Sequence, residues 1–90
     1  MQDKIYENKI LFQKELGKLV KKHRLELKKS ISLISAEIGM TKSMWADLEK
    51  GINDPQLSTL WRVCEGLEVE PADILKELKT MLGNNFTFVE

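Results

Sequence analysis

The segment SISLISAEIGMTKSMWADLEKG, residues 30–51, contains two helix starts and two helix stops in quick succession. Ser30 and Ser32 both offer N-cap oxygens, Ile34 and Ile38 lie four apart, and Gly39 suits a left-handed C-terminal position. Together they predict a helix of about two turns ending at Gly39. Thr41 offers a second cap, Met44, Trp45 and Leu48 mark an apolar face, and Gly51 closes the next helix. Only Met40 separates Gly39 from Thr41. Two short helices joined so tightly have no relaxed loop in which to turn antiparallel, so they must cross steeply. Small side chains at Ser35 and Ala36 leave room for close approach near the turn.

Upstream, residues 3–27 contain no Pro and one Gly, and Ile5, Phe12, Leu16, Leu19, Val20, His23 and Leu27 recur at helical spacings. That predicts one long helix. Its charge gathers after residue 13, so the first dozen residues read either as an added N-terminal extension or as fraying chain. Downstream, Ile52, Asn53 and Asp54 before Pro55 signal a loop, and helix resumes near Leu57 or Ser58. Leu60, Trp61, Val63, Cys64 and Leu67 are expected to point largely inward. Pro71 fits the first turn of a last helix that carries Ile74, Leu75 and Leu78 and ends at Gly83. The tail NNFTFVE alternates Phe86 and Phe88 with polar residues, as a short strand or an extended arm does. The expected architecture is all-α: five helices around one small core, with an extended N-terminal helix and a short extended C-terminal tail. Its divisions are a helical extension over 1–13, a domain over 14–80 and a tail over 81–90.

Ninety residues, 42% apolar and 31% charged, make one ordinary globular domain. A chain this short buries roughly 60–65% of its unfolded surface, which leaves little room for a deep substrate cavity. His23 is the only histidine and lies far in sequence from Cys64, the only cysteine. No glycine-rich phosphate loop and no ligand spacing for a metal accompanies them, so no catalytic residue, metal or cofactor is expected. His23 reads as a partly buried helix residue and Cys64 as a small buried hydrophobe. With no apolar signal core and no run of membrane-spanning length, the expected compartment is the cytoplasm. Fourteen basic side chains cancel fourteen acidic ones, yet residues 9–29 carry eight Lys or Arg against two Glu. Residues 30–55 carry two Lys against four acids.

From Leu16 to Leu75 the order of features resembles the lambda-repressor-like, Xre and Cro type helix-turn-helix domain. The residues that carry the resemblance are LGKLVKKHR, then SISLISAEIGMTKSMWADLEKG, then NDPQLSTLWRVCEGLEVEPADIL. The resemblance implies a sequence-specific DNA-binding transcriptional regulator, a homodimer whose helix 41–50 enters the major groove of an operator. It implies base contacts from Lys42, Ser43, Met44 and Asp47, with Ala46 nearby, and phosphate contacts from Ser30, Thr41, Lys50 and Asn53. Lys42 would donate to guanine O6 and N7, and Asp47 would accept from cytosine N4. An ion pair between Arg24 and Glu49 is implied as the brace of the motif.

Three residues depart from the family pattern. Ile31 stands where relatives often place Gln, Asp47 where they often carry Arg or Gln, and Lys28 where a Gly often ends the first helix. With a net charge of minus two over residues 30–55, the motif needs further cations to hold phosphates. Lys18, Lys21, Lys22, Lys28 and Lys29 either supply them or form the solvated side of a long helix. Two copies would be joined through Ile5, Ile10 and Phe12 or through Phe86 and Phe88, unless these residues pack within one chain. The competing reading is a helix-turn-helix scaffold for protein–protein interaction, an antitoxin-like module favoured by Asp47, Ile31 and the neutral total charge.

Overall fold

The computed structural model describes residues 2–89, with side chains from Lys4 onward. Its elements are α1 (Gln2–Glu26), α2 (Ile31–Glu37), α3 (Lys42–Lys50), α4 (Leu57–Leu67) and α5 (Pro71–Leu82), and no strand occurs among the described residues. A helix of 25 residues is about 37 Å long. That length accounts for most of the 41 Å long axis of a molecule only 23 × 20 Å across. The helix runs unbroken through residues 2–13.

Local chemistry sets most helix boundaries. Ser30 Oγ accepts from the Leu33 N–H at 3.1 Å to cap α2, and Thr41 Oγ1 accepts from the Met44 N–H at 3.1 Å to cap α3. Pro71 occupies the first turn of α5, where its missing N–H has no intrahelical partner to lose. Four helices end in the same way, with a left-handed residue followed by a six-to-one hydrogen bond. In α2 and α3 that residue is glycine: Gly39 with φ 70° and Gly51 with φ 76°. In α1 and α4 it is Lys28 with φ 57° and Glu68 with φ 59°, so both side chains sit where glycine is favoured. The bonds Met40 N–H to Ser35 C=O (2.9 Å), Ile52 to Asp47 (3.2 Å) and Val69 to Cys64 (3.0 Å) complete the α2, α3 and α4 ends.

Every helix feeds one core. Leu16, Leu19 and Val20 come from α1, Ile34 from α2, and Met40 from the turn. Trp45 and Leu48 come from α3, Leu60, Val63, Cys64 and Leu67 from α4, and Ile74 and Leu78 from α5. Burial pushes the Cys64 thiol up to about 11, which keeps it a protonated hydrophobe. Gly17 marks the crossing of α1 and α3, because a Cβ there would lie 2.5 Å from the Glu49 carbonyl oxygen and 2.6 Å from that of Leu48. Ser35 is buried and donates to the Ile31 carbonyl at 2.6 Å, whereas Ala36 faces solvent and takes no part in a close approach.

One inward expectation, that for Trp61, is corrected, and Leu75 of the last helix also lies outward. Trp61 is 55% exposed and Leu75 is 41% exposed, since neighbouring Leu60, Val63 and Cys64, and Ile74 and Leu78, already fill the space under their helices. The tail forms no strand: after a turn at Asn84 and Asn85 it folds back on α1. There the Asn8 side-chain amide donates to the Thr87 carbonyl at 2.7 Å. Phe12 stacks with Phe86 at 6.2 Å and meets Phe88 edge-on at 5.4 Å, so these rings pack within one chain.

Candidate nucleic-acid interface

The candidate interface is built on α3. Trp45 and Leu48 fasten its inner side, and a charged brace fastens its end. Arg24 Nε donates to Glu49 Oε2 at 2.6 Å, and a second guanidinium nitrogen donates to Oε1 at 3.1 Å. The third guanidinium nitrogen, Nη1, donates to the Lys29 carbonyl at 2.8 Å, and Trp45 Nε1 donates to Glu49 Oε2 at 2.6 Å. Both charged side chains are almost wholly buried, and no buried side-chain polar atom among the described residues lacks a partner. The Glu49 hydrogen bond outweighs burial and raises the Arg24 guanidinium above its already high ordinary value. The brace therefore spans α1, the α1–α2 turn and α3. Trp45 and the Lys29 carbonyl are members that sequence reasoning missed. The i, i+4 spacing of Trp45 and Glu49 was a usable signal for the first; no sequence signal marks the second.

With its inner side anchored, α3 presents Lys42, Ser43 and Met44 to solvent. Met44, which marks an apolar face with Trp45 and Leu48 and is also implied as a base contact, is 45% exposed. Asp47 is half-buried, and Lys50 at the helix end is exposed. Helical geometry puts Ser43, Asp47 and Lys50 on one stripe, four and three residues apart, with Met44 beside it. Ser30 and Thr41 are the exposed N-caps of consecutive helices. Asn53 is half-buried in the α3–α4 loop, where Asp54 forms an exposed 3.8 Å ion pair with Lys9 of α1. Ile31 is half-buried against the core, where its apolar side chain suits the packing.

The lysines of α1 are distributed differently from the charge run read in the sequence. Lys18 and Lys22 line a cleft against α5 together with Lys76 and Glu77. Lys22 pairs with Glu77 at 3.2 Å and Lys18 with Glu15 at 3.0 Å, while Lys29 in the α1–α2 turn pairs with Glu37 at 2.9 Å. His23 joins the first pair, its Nε2 2.8 Å from Glu77 Oε1. Burial alone would raise the Glu77 carboxyl, but the hydrogen bonds from His23 and Lys22 outweigh it and hold the group below its ordinary 4.5.

A family model described as Helix-turn-helix matches residues 20–74, well over half the chain. Comparison with curated proteins finds no match. Among solved structures, the clp gene regulator ClgR from C. glutamicum superposes with a TM-score of 0.74 at 19% identity. That match covers 80% of this chain and 94% of that one. An HTH_3 family transcriptional regulator from Vibrio cholerae gives 0.73 at 23% identity over 82% of this chain. The chain spans 42% of the Vibrio protein's length. At these identities the likeness is one of fold.

Proposed function

Because the chain belongs to the helix-turn-helix family, we infer that it is a DNA-binding transcription regulator that places α3 in the major groove. The observation that carries this reading is the exposed first turn of α3, Lys42, Ser43 and Met44, on a helix whose other side is held by Trp45, Leu48 and the Arg24–Glu49 brace. A probe that enters a groove must not shift when it meets a base edge, and a buried, fully hydrogen-bonded brace supplies that rigidity. Lys42, Ser43, Met44 and Asp47 take the base-facing role, and Ser30, Thr41, Lys50 and Asn53 the phosphate-facing role. The two N-caps add the positive ends of their helices. The regulator acts as a homodimer on two half-sites about one helical turn apart, in the cytoplasm and without catalysis.

Salt dependence of binding to random duplex DNA tests the reading. With Lys50 from each of two copies on a phosphate, log K should fall with log salt at a slope of about −2. A second reading, a scaffold that binds protein instead, is favoured by one observation. Leu33, Ile52 and Leu57 are exposed on the elements flanking α3, with Asp54 in the same loop as Ile52. No binding to any duplex at low salt would select it.

A further inference from the structure

Below Met44, between α3 and the α3–α4 loop, lies a depression of about 200 Å³. Its lining includes Met40, Met44, Leu48 and Pro55, with Asn53 and Asp54 also contributing. The first four offer hydrocarbon and thioether, and among them only Met44 is strongly exposed. Lys42 and Ser43 precede it in the same first turn and have polar tips suited to base hydrogen bonds. Met44 has no such capacity, because a thioether is at most a weak acceptor. The major groove offers an apolar side chain one rewarding feature, the C5-methyl group of thymine.

We propose that Met44 and the notch beside it read a thymine methyl, making Met44 a specificity-determining residue. The proposal rests on the DNA-binding reading and adds what that surface recognises. A methyl group is small compared with the notch, so it can leave water and lie against the Met44 thioether and neighbouring hydrocarbon. Asn53 and Asp54 at the notch leave its position at the polar margin of the interface, where a methyl on a base edge, rather than an extended apolar chain, is the fitting occupant. The side chain's three rotatable bonds let it follow the methyl without displacing α3.

The experiment begins with selection of bound fragments from a random duplex pool by the full-length chain. In the site recovered, each thymine is replaced in turn by deoxyuridine, which removes the methyl and leaves every hydrogen-bonding group in place. The expected result is one position per half-site where the replacement weakens binding about fourfold, the worth of one buried methyl. Met44→Ala should bind more weakly and ignore the same replacement, while melting like the parent chain because Met44 is 45% exposed. Equal affinity for thymine and deoxyuridine at every position overturns the proposal, as does a Met44→Ala variant that retains the full fourfold loss. Failure to recover or bind any duplex overturns the DNA reading itself, so the two failures are distinct.

Discussion

At the scale of single residues, Glu49 carries more than its ion pair. Its carboxylate accepts from Arg24 twice and from the Trp45 indole, so truncation strands a buried guanidinium and an indole N–H together. Glu49→Ala should therefore lose about 3–5 kcal/mol. Glu68→Ala, an exposed change at the end of α4, should stay within roughly 0.5 kcal/mol. Equal melting temperatures for the two would refute the brace. Lys28 and Glu68 give the opposite kind of prediction. Each holds φ near 58° with a side chain attached, so Lys28→Gly and Glu68→Gly should each stabilise by about 1 kcal/mol in denaturant unfolding. The strain at Lys28 was legible from the sequence, because a family position usually held by Gly carries Lys. Glu68 was not, since nothing between Leu67 and Pro71 announces a left-handed residue when glycine is missing.

At the scale of elements, the crossing of α1 and α3 sets where α3 sits. Gly17 allows it, and Gly17→Ala would drive a methyl into two α3 carbonyls. Backbone atoms cannot rotate aside, so the helices must part, at a cost of about 1–3 kcal/mol measurable by chemical denaturation. The α1–α5 contact responds to pH. Glu77 lies among Lys18, Lys22 and His23 of α1 and Asp73 and Lys76 of its own helix. Its folded-state value is held below 4.5, so its stabilisation is complete above that pH and is lost as pH falls through the lower folded value. Glu77→Gln should flatten this part of the acid limb of stability, and an unchanged limb would show that the contact contributes nothing. Elements were legible where their signals are local: Ser30, Thr41, Gly51 and Pro71 each fix a boundary through neighbours within a few residues. Facing was less legible. In α4 the apolar side chains Leu60, Trp61, Val63, Cys64 and Leu67 occupy more of the helix circumference than its neighbours cover, and periodicity cannot say that Trp61 is the one left outside.

At the scale of the molecule, the two chain ends meet. The Asn8–Thr87 bond joins residues 79 apart in sequence, and the Phe12, Phe86 and Phe88 rings pack together beside it in the chain. No local pattern could have paired them, since alternation in a tail is equally consistent with a strand, an arm or a cap. The assembled end is only partly sealed: Leu75, Phe88 and Val89, which line a groove there with Phe12 and Phe86, remain exposed. Lys18, Lys22, Lys76 and Glu77 place charges along the α1–α5 cleft, whereas the groove at this end is lined mainly by apolar side chains, so in the proposed homodimer it is the surface best suited to meet a second copy. Ending the chain at Gly83 removes the outer rings, exposes Phe12 and frees the Asn8 amide. It should lower stability by about 1–3 kcal/mol and weaken self-association in sedimentation. The two readouts separate the roles of the tail. Lost stability with unchanged association would confine the tail to bracing α1 within one chain and leave α1 and α5 as the dimer face. Unchanged stability would show that the aromatic closure contributes little to holding the ends together.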